Sequence, residues 1–315
     1  MVEVPRDRWG RPLIVPPHGG PVQPYTRVTT FAGVLDDTHG LQKWFQRQTM
    51  LGLVERPDLV LAVKAHREDK AKLGQIAENA MQVAASTAAA NVGTALHKLT
   101  EDIDRGIDVG KVPGEYQRDL DAYRTTLEAN NVSPIALERF VVLDDLKVAG
   151  TFDRLVDHQG QFYIADIKTG SIEYSKVKIA IQLACYAHGV YYDPDGGIRS
   201  VIPDLNQHKG IVIHLPAGEG TCTLYWVDLD AGWEAAQLAD QVRSWRLRKA
   251  LFTHFNLDKT ALSNLRPLIG DPILAEIHAA PTVAALGACW RANHQAWTEE
   301  HTTAAAHRKK ELMVR

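Results

Sequence analysis

Cysteine is scarce. The chain of 315 residues has three, Cys185, Cys222 and Cys289, and none is near another in sequence. Such scatter excludes a four-cysteine zinc site and argues against a disulfide framework, so reduced thiols are expected. No apolar run of about eighteen residues occurs, so no membrane span is expected. Positive charge is not in excess: the formal net charge is -3. A general polyanion-binding surface is therefore not implied, and any nucleic-acid contact must come from local basic patches. The opening stretch, "MVEVPRDRWGRPLIVPPHGGP", has charges and prolines where a secretory leader would be apolar. These absences lead to the expectation of a protein that acts in the cytoplasm. Internal repeats are missing too, as is the Gly-x-x-x-x-Gly-Lys-Ser/Thr loop of a nucleotide-driven motor.

What is present is an ordinary globular composition, 45% hydrophobic and 23% charged, enough for a sizeable core. Residues 1–25 are rich in Pro and Gly and read as an extended or partly disordered arm. "LQKWFQRQTMLGLV" has helical spacing, with Leu41, Trp44, Phe45 and Leu51 on one apolar face. Helical pattern continues to Asp104 through an alanine-rich stretch. Gly93 interrupts it, which predicts a close approach or a break between two helices. His97 and Glu101, four apart, project from one face.

The texture changes after Pro134. "ALERFVVLDD", "KVAGTFDRLVD" and "GQFYIADIKT" are three β-rich runs with hairpin-sized joints, which predicts an antiparallel meander. "SKVKIAIQLACYAHGVYY" reads as one helix. "KGIVIHLPAGEGTCTLYWVDL" reads as two strands around a Gly-rich turn, and everything from Ala231 onward as helical. The predicted fold class is α/β, with a mixed β-sheet flanked by helices. The expected division is an arm at 1–25, a core with N-terminal helices at 26–232, and a helical extension packed on the core at 233–315.

Chemistry concentrates in "GTFDRLVDHQGQFYIADIKTG", residues 150–170. Asp153 and Asp166 fall on successive strands, so a hairpin brings them together at one sheet edge. Two adjacent carboxylates repel unless one takes a proton or a cation sits between them. A divalent metal resolves the conflict, since Mg²⁺ prefers hard oxygen ligands and keeps several waters. Strand alternation places Lys168 on the same face as Asp166, so its ammonium points into the site. Carboxylates, metal and ammonium together suit phosphodiester hydrolysis.

The order Gly-Thr-Phe-Asp, Asp-Ile-Lys-Thr-Gly, then Gln182-Leu-Ala-Cys-Tyr186 resembles the PD-(D/E)XK nuclease superfamily, in its RecB-like exonuclease branch. The likeness runs over roughly residues 90–192, and Phe152 stands where the superfamily's name has proline. It implies a restriction-endonuclease-like core and a Mg²⁺- or Mn²⁺-dependent DNA exonuclease working in recombination, repair or end processing. It further implies that Asp153 and Asp166 bind metal, that His97 and the Ile167 carbonyl complete the coordination, and that Lys168 is catalytic. Gln182 and Tyr186, four apart on a helix, would steady the site or touch the DNA backbone, and Glu138 sits where such nucleases often have an acid. One group of relatives clamps an iron–sulfur cluster with four cysteines; with three, this chain is expected to have none. Small self-contained exonucleases of this branch are common in bacteriophages, which suggests a viral role in a bacterial host's cytoplasm beside a recombination or single-strand-annealing protein.

Lys176 and Lys178 open the helix after the second aspartate and are candidate DNA contacts. "RSWRLRK", residues 243–249, reads as a solvated helical face with Trp245 in the core. Two other functions remain open for the same residues: a sequence- or structure-specific endonuclease, and a non-catalytic DNA-binding or assembly protein that keeps the fold.

Overall fold

Runs that alternate apolar and polar residues form strands, because the pleat sends successive side chains to opposite faces. Three of them, β4 (Val132–Leu143), β5 (Val148–His158) and β6 (Gln161–Lys168), make the expected antiparallel meander. The joint between β5 and β6 is Gln159-Gly160, both at positive φ, which suits a tight two-residue hairpin turn. A β-bulge at Pro134–Ala136 absorbs the proline in β4. The computed structural model describes residues 4–249, 251–252 and 270–313, with only the backbone for 85–91. It forms two compact units, Met1–Leu247 and Arg248–Arg315.

The first unit holds an eight-stranded mixed sheet. The meander lies at its centre. β9 (Lys209–His214) runs parallel beside β6, and β10 (Thr223–Asp228) is antiparallel to β9 at one edge. On the other side β7 (Val190–Asp193) pairs with β4, and β8 (Ile198–Ser200) with β7. The short β3 (Thr26–Arg27) adds to β5 in parallel, and β1 (Leu13–Ile14) and β2 (Gln23–Pro24) form a separate antiparallel pair. Helix α7 (Lys176–Ala187) covers one face. It is buried nearly all round, as its apolar sequence requires. α8 (Leu229–Arg246) lies against it. On the opposite face α6 (Gly114–Ala129) sends Tyr123 and Leu127 against Val156, Ala165, Ile167 and Ile213. Upstream come α1 (Val28–Ala32), α2 (His39–Glu55), α3 (Pro57–Ala65), α4 (Lys70–Met81) and α5 (Thr87–Asp104).

Several expectations change. The run through Tyr192 is not one helix: α7 stops at Ala187, where the Gly189 N–H bonds the Tyr186 carbonyl, and β7 follows at once. The reason is tertiary, since β4 offers Val141 and Val142 for pairing with Tyr191 and Val190. Residues 4–25 are extended but tied down. Val4, Ile14 and Tyr25 are buried against Val142, Ala149 and Tyr192, and Tyr25 donates to Asp144 at 2.7 Å. The first unit runs on to Leu247 rather than ending at 232, because α8 belongs to its core through Leu229, Ala236 and Ala239. Leu41, Trp44, Phe45 and Leu51 share α2 but are all at least 36% exposed, so their apolar stripe is not core. Trp245 is exposed as well, while Arg243 bonds the Leu146 carbonyl and Thr26.

The described helices of the second unit lie between residues 272 and 313. Helices Pro272–Ala279, Val283–Asn293 and Glu299–Met313 bury Ile273, Ile277, Leu286 and Cys289 among themselves. Asp271 caps the first of these helices and accepts a 2.8 Å bond from His301, which is fully buried.

Candidate active site

The register of β5 on β6 explains why two acids meet. Pairing runs from His158↔Gln161 to Arg154↔Ala165 and stops there. The next positions are Asp153 and Asp166, so the carboxylates sit where the two strands part. Asp153 Oδ2 accepts the Ile167 N–H at 2.9 Å, a side-chain substitute for the missing ladder bond. Strand separation thus creates the space, and the aspartate satisfies the backbone group that it exposes.

Asp166 is 2% exposed. Burial, reinforced by the charge of Asp153, pushes its carboxyl up to about 7. Its Oδ1 accepts from Gln182 Nε2 at 2.9 Å. Gln182 is a polar residue on an otherwise apolar, buried helix, and this bond accounts for its place there. Asp166 Oδ2 lies 2.5 Å from Lys168 Nζ, yet it receives no well-aligned hydrogen bond. A buried carboxylate oxygen left in that state invites a further cation.

Three more groups close the site. His97 on α5 lies 3.6 Å from Asp153 Oδ2. Burial lowers its pKa, as do Arg154 and Lys168, while Asp153 and the Ile167 backbone act in the opposite sense. The imidazole is therefore neutral at neutral pH and keeps a lone pair for a ligand or a proton. Glu138 on β4 is pushed up to about 7 by burial, then by Asp153 and Glu101. Its φ of 49° is the one positive value for a non-glycine residue within a strand among the described residues. Such local strain marks sites where side-chain placement outweighs backbone comfort. Glu101 is held by Lys98 on its own helix and by Arg105 just past its end.

Beneath these groups lies a buried network that sequence reasoning missed. Arg154, 1% exposed, donates to Asp104 at 2.6 Å, Tyr123 at 3.1 Å and Thr100 at 3.0 Å. It joins β5 to α5 and α6 and so fixes the helix that carries His97. Only its place beside Asp153 hinted at it, and an arginine in "FDRLV" reads equally well as a surface residue. Gly93 serves the same docking: a Cβ there would lie 2.6 Å from Thr169 Oγ1, so α5 can approach the end of β6 only without one. The predicted close approach is therefore observed.

Other predicted residues fall differently. Tyr186 is 2% exposed and packs edge-on against Phe152, so it braces the site from within and does not face DNA. A Cβ at Gly150 would come within 3.2 Å of its ring and of Val28, which explains glycine at that place in the motif. Lys178 is bound to Asp36 at 2.9 Å, and Lys176 is an exposed partner of Glu173.

Residues 117–207 match the family model of the PD-(D/E)XK nuclease superfamily. That span contains Glu138, Asp153, Asp166, Lys168, Gln182 and Tyr186, and leaves His97 outside it. No curated protein matches the chain. PD-(D/E)XK nucleases use divalent metals such as Mg²⁺ or Mn²⁺. Among the described residues no three His, Cys, Asp or Glu side chains converge on one point as ready ligands. Mg²⁺ does not need three: it is commonly held by one or two carboxylates and keeps its waters. The buried Asp166 Oδ2, which has only the Lys168 ammonium beside it and no well-aligned hydrogen bond, fits that demand together with Asp153.

Proposed function

We propose that the chain is a divalent-metal-dependent DNA exonuclease acting in recombination, repair or end processing. The observation that carries this reading is the parting of β5 and β6 at Asp153 and Asp166, with Lys168 against the buried carboxylate. Asp153 and Asp166 would hold the ion, with the Ile167 carbonyl and neutral His97 as further donors. When bound, Mg²⁺ or Mn²⁺ supplies Lewis-acid polarisation of the scissile phosphate and neutralises charge on the leaving oxygen.

The chain's own groups do the rest. Lys168 Nζ, carried on the face of Asp166, donates to a non-bridging phosphate oxygen and positions the attacking water. Gln182 locks the Asp166 rotamer, so the carboxylate does not swing toward the ammonium alone. Glu138, poised near neutrality, accepts the proton that the water releases. Tyr186 and the Arg154 network keep this wall stiff, which matters because small misplacements of reacting groups cost rate steeply.

End-labelled linear duplex, linear single strands and closed-circular duplex, each with Mg²⁺ or Mn²⁺, test the reading. Linear DNA should be degraded from its ends, EDTA should stop the reaction, and Asp166→Ala or Lys168→Ala should reduce it by at least about a hundredfold. Efficient cutting of closed circles would make the chain an endonuclease instead. Cleavage that survives both substitutions would remove these residues from the chemistry.

A further inference from the structure

On the face of the sheet that bears the catalytic lysine, the register continues the site sideways. Asp166 pairs with Val212, and Val212 with Tyr225; Lys168 pairs with His214. Paired residues share a face, so Asp166, Val212 and Tyr225 form one row across three strands, and Lys168 and His214 the next. With strands about 4.8 Å apart, Tyr225 stands ~10 Å from Asp166 on the same surface. Val212 between them is buried, whereas Tyr225 is 45% exposed.

A cavity of about 660 Å³ opens at the outer end of these rows, lined by Val212, Tyr225 and His214. Its far wall is the segment that follows the catalytic strand, Ile172 and Glu173, and the start of α7 with Val177. His214 Nε2 is 3.1 Å from the Gly170 carbonyl, so it ties the catalytic turn to the cavity floor. The His214 and Tyr225 rings are 6.2 Å apart. Trp226 points the other way, against Tyr163 and His158, and leaves Tyr225 as the aromatic surface on this side. The volume lies within the range of small-ligand sites.

Charge decides what the cavity takes. Its rim has Glu173 and Asp228 beside Lys176, and Lys176 already pairs with Glu173 at 2.9 Å. Phosphates are not welcome there, but an uncharged aromatic ring is. His214 in the cavity wall is the cross-strand partner of Lys168, where the scissile phosphate would sit. Resting on the nuclease reading above, we propose that this groove receives the base of a nucleotide next to the scissile phosphate, stacked on Tyr225. Inside a duplex both faces of a base are already stacked and a terminal pair is two bases wide, so a groove that takes one base by itself requires that base to be unpaired. The strand being cut is therefore unpaired at this point, either a single strand or a frayed end.

The test uses the full chain with Ca²⁺ and single-stranded oligodeoxynucleotides carrying 2-aminopurine at successive positions from one end, with Tyr225→Ala and Tyr225→Phe as variants. Wild type and Tyr225→Phe should quench the probe at one position. Tyr225→Ala should lose that quench and bind about 5- to 150-fold more weakly, the equivalent of ~1–3 kcal/mol for one stacked base. Equal binding and equal fluorescence in Tyr225→Ala would overturn the proposal, as would preferred binding of a blunt, fully paired duplex. Cleavage is scored separately with Mg²⁺: a protein that quenches but never cuts keeps the stacking site and loses the nuclease reading, while one that cuts but ignores Tyr225→Ala does the reverse.

Discussion

Asp166 ionises at a cost, because it is buried and Asp153 stands beside it. Its folded-state pKa is raised above the unfolded value, so it stabilises the metal-free fold at low pH. That contribution fades as pH climbs through about 7. Asp166→Asn removes the titration. Without metal, the variant should melt several degrees above wild type at pH 8 and close to it at or below pH 4, by calorimetry in EDTA. A wild-type advantage at pH 8 would mean that the carboxylate is not desolvated as described. Arg154 is the second decisive residue. Asp104→Ala strands a buried guanidinium, and a loss of ~3–5 kcal/mol in urea unfolding is expected, since one partner of a buried pair is removed. A loss below 1 kcal/mol would show that water reaches Arg154.

At the scale of elements, the site is a docking problem: α5 has to reach the end of β6. Gly93→Ala puts a methyl group into Thr169, and overpacking of this kind costs ~1–3 kcal/mol. Adding Thr169→Ala should restore most of the lost stability, as read by thermal melting. No recovery in the double variant would place the clash elsewhere. The same elements show what a sequence discloses. β4, β5 and β6 were legible because alternation and short polar joints are local signals, and Asp153, Asp166 and Lys168 followed from strand order. The end of α7 was not legible, because β7 forms only by pairing with β4. Nothing local marks Arg154 as buried, because its partners are 31 and 50 positions away in the chain. The burial of Tyr186 depends on Gly150 and Val28, which no spacing rule connects to it.

For the whole molecule, a net charge of -3 gives little long-range attraction to DNA, so under the proposed function contact would depend on a few phosphates near Lys168. Affinity for an oligonucleotide in Ca²⁺ should still fall with salt, but with a shallow slope of about two to four counterions. A slope near ten would contradict contact through so few phosphates. No helix among those residues is long and apolar enough to cross a membrane. Everything functional in this account depends on one cation held where β5 and β6 separate. Manganese binding, followed by electron paramagnetic resonance of the free ion, tests that directly. Wild type should bind Mn²⁺ with an affinity that rises from pH 6 to pH 8, and Asp153→Ala and Asp166→Ala should each abolish the site. Undiminished binding in both variants would contradict the account.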